Sequence, residues 1–119
     1  MQILVDTSIW VDHFRRTDTR LVTCLENDQV CSHPFIVGEL ACGVIAPRHE
    51  ILERLNLLPK VAPVLDDEVL HFIDRHKLWG RGVGYVETHL LAAAMLAKVK
   101  LWTRDRRLLG IARELGAAL

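Results

Sequence analysis

Residues Gln2–Trp10, QILVDTSIW, decide the expected fold of this chain. The run Ile3–Val5 is short, apolar and rich in β-branched residues, which is typical of a buried strand in a parallel sheet. Asp6 ends the run, and Thr7 and Ser8 then offer the side chains that commonly cap a helix. Because ligands bind at the carboxyl ends of strands in open α/β sheets, we expect Asp6 to lie at a functional site.

The rest of the chain alternates short apolar runs with longer amphipathic segments. Further strands are predicted at Val30–Ser32, Val61–Leu65 and Lys100–Thr103, and Pro63 argues for an edge position of the middle one. Helices are predicted over Ile9–Arg15, Leu21–Asn27, Phe35–Ile45, His49–Leu58, Asp66–Leu78, Tyr85–Lys98 and Asp105–Leu115. This alternation predicts an α/β fold with a mostly parallel sheet.

Length and composition indicate an ordinary globular protein. The chain has 119 residues, enough for one hydrophobic core, so we expect a single domain over residues 1–119. The formal net charge is zero, and therefore no global basic field favours nucleic acid. Three cysteines without a CxxC pair, and no stretch resembling a signal peptide or a membrane span, favour a reducing, cytoplasmic setting.

Four acidic residues stand out by their predicted positions. Asp6 and Asp105 each follow a predicted strand. Glu39 lies in the apolar helical stretch VGELACGV, where a carboxylate is costly unless it is paired, hydrogen-bonded or bound to a metal. Glu87 lies in the first turn of the most apolar helix, just after the loop GRGVG. If these acids converge, their repulsion requires either a cation or shared protons, and oxygen donors alone suit Mg²⁺ or Mn²⁺ rather than zinc.

Each acid also has an interpretation that needs no ligand. Asp6 and Asp105 would serve as N-caps of the helices that follow them, which is the commoner role for an isolated Asp105. Glu87 would stabilise a helix N-terminus, and Glu39 would pair with an arginine. The occurrence of all four acids at one predicted sheet edge favours the functional interpretation.

Basic residues near these acids are candidate contacts for a phosphate backbone. Such arginines usually form a solvated face, but beside a metal ion they would also bind phosphates. The six histidines show no metal-ligand spacing, and Ser8 has no His–Asp relay in the sequence, so a serine hydrolase is not favoured. The arginines selected are Arg81, Arg104 and Arg106, and Arg107 lies in the same run of arginines that flanks Asp105.

With these acids placed, the chain resembles the PIN-domain ribonucleases, and among them the VapC-like toxins of type II toxin–antitoxin systems. The likeness covers nearly the whole length and rests on ILVDTSIWVDHF, GELACG, GYVETHLLAAAML and LWTRDRRL. It implies an α/β/α sandwich around a central, mostly parallel sheet of four or five strands. The implied activity is Mg²⁺- or Mn²⁺-dependent endonucleolytic cleavage of RNA, often tRNA or rRNA, by a metal-activated water.

The resemblance also carries over site residues by position. Asp6, Glu39 and Asp105 correspond to the first, second and fourth acids of the family, which bind the metal at the carboxyl edge of the sheet. Polar residues that support the site correspond to Thr7, Ser8 and Thr103.

The third acid departs from the family pattern. That pattern usually has Asp here, as in GYVDxHLL, whereas this chain has Glu87. Because Mg²⁺ demands near-ideal octahedral geometry, the longer side chain is expected to weaken activity rather than alter the fold. Natural variation and an introduced change both fit this residue. A catalytically silent PIN-fold module that binds RNA or protein is therefore the alternative function, and a phosphoacceptor role for Asp6 is less favoured.

Partners are implied as well. Toxins of this kind are held silent by a cognate antitoxin, and they commonly form homodimers or hetero-oligomers with it, so we expect RNA and antitoxin as partners and no membrane. Trp10, Val11 and Phe14 would line a groove for an antitoxin helix. The alternative is that Trp10 and Phe14 belong to the hydrophobic core.

Overall fold

A parallel sheet of three short strands forms the centre of the computed structural model, which describes all residues, 1–119. The strands are β1 (Ile3–Val5), β2 (Val30–Cys31) and β3 (Lys100–Trp102), in the order β2-β1-β3. Ile3 lies opposite Val30 on one side and opposite Lys100 on the other. Because all pairings are parallel, the carboxyl ends of the three strands meet at one edge of the sheet.

Single bridged residues extend the sheet on both sides. Ser32, just beyond β2, pairs with Lys60, and Leu101 pairs with Ala118, both in parallel orientation. The Ser32 N–H donates to the Pro59 carbonyl oxygen at 2.7 Å. The predicted four or five strands are therefore reached only when these two bridged segments are counted with the three strands.

The predicted strand Val61–Leu65 is wrong. Pairing stops at Lys60, and residues 61–65 form irregular chain. Proline at position 63 has no N–H to donate to a sheet neighbour, which opposes continued pairing. Val61 and Val64 are nevertheless buried, and this burial accounts for the apolar pattern that suggested a strand.

Seven helices cover the sheet, and each lies where the sequence pattern predicts one. The largest difference is at the end of the third helix, which stops at Ala41 instead of Ile45, where the Gly43 N–H donates to the Leu40 carbonyl oxygen. None of the helices has the length and apolar character needed to cross a lipid bilayer. Their bounds are α1 Thr7–Arg15, α2 Thr19–Glu26, α3 Pro34–Ala41, α4 Arg48–Leu57, α5 Asp66–His76, α6 Tyr85–Ala97 and α7 Arg106–Glu114.

The hydrophobic core runs along β1 and α6. All three residues of β1 are at most 3% exposed, as expected for a parallel strand that is covered on both faces. Every residue of α6 from Thr88 to Ala94 is buried, which explains why this helix is apolar on all sides. The core therefore fixes β1, which ends just before Asp6, and α6, whose first turn contains Glu87.

We expect Leu4→Ala to reduce the free energy of unfolding by about 2–5 kcal/mol, because Leu4 is fully buried in the central strand and its loss leaves a cavity. Urea unfolding followed by circular dichroism measures this change. The control is Leu57→Ala on α4, where the side chain is 80% exposed and a change within about 0.5 kcal/mol is expected. Equal losses in the two variants would contradict this placement of the core.

Candidate active site

Asp6 is a buried carboxylate held by two hydroxyl groups. Its backbone N–H donates to the Trp102 carbonyl oxygen at 2.9 Å, which brings the residue after β3 alongside it. Ser8 Oγ donates to Asp6 Oδ2 at 2.8 Å and Thr103 Oγ1 donates to the same oxygen at 2.7 Å. Asp6 is only 6% exposed and forms no salt bridge. The hydroxyls orient the carboxylate without neutralising it, and a buried charge of this kind favours a bound cation.

The capping interpretation of Asp6 is wrong. Helix α1 begins at Thr7, so Asp6 occupies the N-cap position, but its side chain accepts no hydrogen bond from a backbone N–H of the first turn. The Asp6 carboxylate instead contacts Thr103, which is far away in sequence.

The polar residues predicted to support the site connect its parts. Ser8 Oγ accepts a hydrogen bond from the Arg104 backbone N–H at 3.0 Å, and Thr103 Oγ1 accepts one from the Asp105 N–H at 3.1 Å. These bonds tie the segment after β3 to the start of α1. On the other side, Thr7 Oγ1 donates to Glu39 Oε1 at 2.9 Å and so connects α1 to α3.

Glu39 is electrostatically coupled to two of the other acids. Burial of its carboxyl group raises its pKa, the Thr7 hydroxyl opposes this rise, and the like charges of Glu87 and Asp6 add to it. Glu39 is exposed over much of its surface, so water screens part of these effects. The contributions of Glu87 and Asp6 to this shift indicate that both carboxylates lie close enough to Glu39 to act on it at the same edge of the sheet.

Glu87 lies in the first turn of α6, as predicted, with its carboxylate against the preceding loop. A Cβ atom added to Gly84 would lie 2.5 Å from Glu87 Oε2, closer than real side chains approach. Gly84 therefore provides the space in which the longer glutamate side chain rests.

Asp105 caps α7, as its alternative interpretation predicts. Its Oδ1 accepts hydrogen bonds from the backbone N–H groups of Arg107 at 3.1 Å and Leu108 at 3.0 Å. The second oxygen, Oδ2, takes no part in these bonds. Capping by one oxygen therefore leaves the other available, and the two interpretations of Asp105 are compatible.

The donor set suits a hard divalent cation, although the acids do not form a closed cage. No three or more Asp, Glu, His or Cys side chains lie close enough together to hold one ion as placed. Mg²⁺, however, is commonly bound through only one or two carboxylates and keeps several water molecules. The oxygen donors and the uncompensated charge of Asp6 therefore fit such an ion.

Two of the three arginines selected from the sequence are engaged in ion pairs. Arg81 forms two hydrogen bonds of 2.8 Å to the carboxylate of Glu114 on α7. Arg104 donates to Asp12 Oδ2 at 2.6 Å and to Asp18 Oδ2 at 2.5 Å. These guanidinium groups hold elements together and are not free to bind phosphate. Arg106 is exposed and forms no ion pair.

Residues 3–114 match the family described as the PIN domain. The chain belongs to the PIN domain family. It is 45% identical over 118 residues to Ribonuclease VapC32 from two strains of Mycobacterium tuberculosis, covering 98% of this chain and 95% of the relative. The crystal structure of PAE2754 from Pyrobaculum aerophilum aligns over 100% of this chain and 88% of that one, with a TM-score of 0.69 at 16% identity. The predicted PIN-like α/β/α fold and the likeness to VapC-like proteins are confirmed.

One hydrogen-bonded group of this PIN domain was not singled out from the sequence. Tyr85 Oη donates to Asp66 Oδ1 at 2.8 Å, and His89 Nε2 lies 3.0 Å from the same oxygen. The hydrogen bond from Tyr85, followed by that from His89, lowers the pKa of Asp66. The contact joins the start of α5 to the first turns of α6, the helix that carries Glu87. The spacing of four residues between Tyr85 and His89 is the signal that could have indicated it.

The predicted groove residues divide between core and surface. Trp10 is 4% exposed, so the core interpretation is right for this residue. Val11 and Phe14 are half-buried and line open clefts beside α1. A cleft of about 370 Å³ involves both Trp10 and Phe14, with further apolar side chains from Leu25, Ile51, Leu55 and Leu58.

We expect Glu39→Gln to stabilise the metal-free protein at neutral pH. The folded-state pKa of Glu39 is raised, so the stability that this residue contributes is complete below the unfolded-state pKa of about 4.3 and is lost as the pH rises through the folded-state pKa. Glutamine stays neutral and avoids this loss. Thermal unfolding at pH 7 and near pH 4 should therefore show a higher Tm for Glu39→Gln only at pH 7.

The matched control for this prediction is Glu53→Gln. Glu53 lies exposed on α4 and forms no salt bridge. A gain in Tm for Glu39→Gln that is the same at both pH values, or that Glu53→Gln reproduces, would contradict the coupling of Glu39 to its acidic neighbours.

Proposed function

We propose that this PIN domain is a metal-dependent endoribonuclease that acts as the toxin of a type II toxin–antitoxin system in the cytoplasm, with tRNA or rRNA as substrate. The observation that carries the proposal is the buried, unpaired Asp6 beside Glu39, whose pKa is raised in part by the charges of Glu87 and Asp6. The 45% identity to Ribonuclease VapC32 supports the same activity.

Asp6, Glu87 and Asp105 would hold Mg²⁺ or Mn²⁺, with Glu39 completing the acidic pocket. When bound, such an ion neutralises the acids, activates water and stabilises the charge that develops on a phosphodiester. Asp105 would contribute the oxygen that does not cap α7. Ser8 and Thr103 occupy one oxygen of Asp6, which leaves Oδ1 facing its ligand.

Glu39 is the residue best suited to accept a proton during the reaction. Thr7 donates a hydrogen bond to one of its oxygens, Oε1, which leaves Oε2 to accept a hydrogen bond from the attacking water. Water attacks phosphorus and loses a proton to this carboxylate, while the bond from phosphorus to the 3′-oxygen breaks and the leaving 3′-oxygen takes a proton from a solvent water. The products are a 3′-hydroxyl and a 5′-phosphate.

The cleft beside α1 supports the proposed antitoxin partner. It is lined mainly by apolar side chains of α1, α2 and α4, as a groove for an amphipathic helix requires. We also propose that the protein forms a homodimer, or a hetero-oligomer with the antitoxin.

A PIN-fold module that binds RNA or protein without cleavage is the second candidate function. The observation that favours it is the position of Glu87, whose carboxylate rests against Gly84 while no three acids gather around one point. Cleavage assays with Glu87 variants separate the two candidates.

We expect Asp6→Asn to reduce cleavage of total tRNA and rRNA in the presence of Mn²⁺ by at least about 100-fold. Loss of a residue that only orients a metal ligand typically lowers activity by about 10–100-fold. Loss of the ligand itself should lower activity further. EDTA should abolish cleavage by the parent. The control is Asp28→Asn, an exposed position with a left-handed backbone that asparagine also tolerates. Cleavage that persists in EDTA would contradict the proposed metal dependence.

We expect Gly84→Ala to weaken Mn²⁺ binding about tenfold in the parent protein, because its methyl group would displace the Glu87 carboxylate. In the Glu87→Asp background the same change should have almost no effect, since the shorter side chain does not reach Gly84. Gly84 has φ −84° and ψ 172°, which alanine adopts without strain. Isothermal titration calorimetry measures the Kd for Mn²⁺ in the four proteins, which are the parent, Gly84→Ala, Glu87→Asp and the double variant.

The same four proteins decide between the two candidate functions. Cleavage that increases in Glu87→Asp supports a nuclease weakened by its glutamate. Binding of Mn²⁺ and RNA without cleavage, in both the parent and Glu87→Asp, would favour the silent module. Equal weakening by Gly84→Ala in both backgrounds would mean that Gly84 does not act through Glu87.

A further inference from the structure

Arg107, in the first turn of α7, has a defined position over the glycine-rich loop. A Cβ atom added to Gly82 would lie 2.5 Å from Arg107 Nη1, 2.6 Å from Cδ and 2.9 Å from Cζ. Gly82 also has a φ of +83°, a conformation that other residues rarely adopt. The guanidinium group therefore rests directly on the backbone of Gly82, in a space that any other side chain at this position would fill.

This placement connects Arg107 to two of the proposed catalytic acids. Its backbone N–H donates to Asp105 Oδ1, and its side chain contacts the loop just before Glu87. Gly82 and Gly84 are two residues apart, a span of at most about 7 Å. The Arg107 guanidinium and the Glu87 carboxylate therefore lie within roughly 15 Å of each other, on neighbouring parts of the same loop.

Arg107 is also free to bind a ligand. Its guanidinium forms no salt bridge, whereas Arg81 and Arg104 are both held by carboxylates. Arg106 is equally unpaired, but its side chain is not among the atoms that closely approach a glycine of this chain.

We infer that Arg107 binds a backbone phosphate of the RNA strand that lies over the acidic edge. The inference rests on the proposed nuclease function. The acids repel a polyanion, and a cation next to them offsets this repulsion where the strand enters the site. A guanidinium presents parallel N–H donors that match two phosphate oxygens. Arg107 and Glu87 form no salt bridge with each other, so each remains available for its own ligand.

The test is RNA binding without cleavage. A fluorescein-labelled single-stranded RNA is titrated with the parent and with Arg107→Ala in EDTA, and anisotropy is recorded at several salt concentrations. Arg107→Ala should raise Kd about tenfold. The plot of log K against the logarithm of salt concentration should become shallower by about one unit, because one phosphate contact is lost. Arg107→Lys keeps the charge but not the paired donors, and should give an intermediate Kd. Arg107 is exposed, so thermal unfolding should be unchanged.

Arg113→Ala is the matched control, since Arg113 is an exposed, unpaired arginine in the last turn of the same helix. Equal effects of Arg107→Ala and Arg113→Ala on a parent that binds RNA would overturn the inference and leave the nuclease proposal standing. A parent that binds no RNA in EDTA would overturn the inference, while cleavage by the parent in Mn²⁺ would still leave the nuclease proposal standing. Binding that depends on Arg107, without cleavage by the parent in Mn²⁺, would support the inference and contradict the nuclease.

Discussion

The parallel pairing of β1 with β3 is the constraint on which the candidate site depends. It places the Asp6 N–H against the Trp102 carbonyl oxygen and therefore brings Thr103 to the Asp6 carboxylate. Side chains alternate between the faces of a sheet, so a shift of one residue would point Thr103 away and leave the buried acid with Ser8 alone. The segment after β3 and the capped start of α7 follow from this register.

Local patterns were sufficient to predict the helices and the positions of the acids. Asp6 follows a short apolar run, and Glu87 begins the most apolar helix, so each position depends on only a few neighbouring residues. The strand at Val61–Leu65 failed because apolar residues report burial rather than pairing, and burial also occurs in irregular chain. Whether a segment joins a sheet depends on a partner strand that local sequence does not contain.

The arginines show the limit of prediction from sequence more clearly. Arg104 pairs with Asp12 and Asp18, and Arg81 with Glu114, across long separations in the chain. Proximity in sequence to Asp105 made Arg104 a candidate for RNA binding, but tertiary pairing makes its guanidinium a link between α1, α2 and the segment after β3. Arg107 differs because no carboxylate reaches it, and this too depends on the folded arrangement.

The glycine-rich loop shows how missing side chains shape the site. In the fold, Gly82 leaves space for the Arg107 guanidinium, and Gly84 leaves space for the Glu87 carboxylate. If Arg107 and Glu87 met, they would neutralise each other, and neither would be available for a charged ligand. No salt bridge joins them, so the acid stays available for a cation and the arginine for a phosphate, which are opposite requirements that the proposed nuclease site must satisfy together.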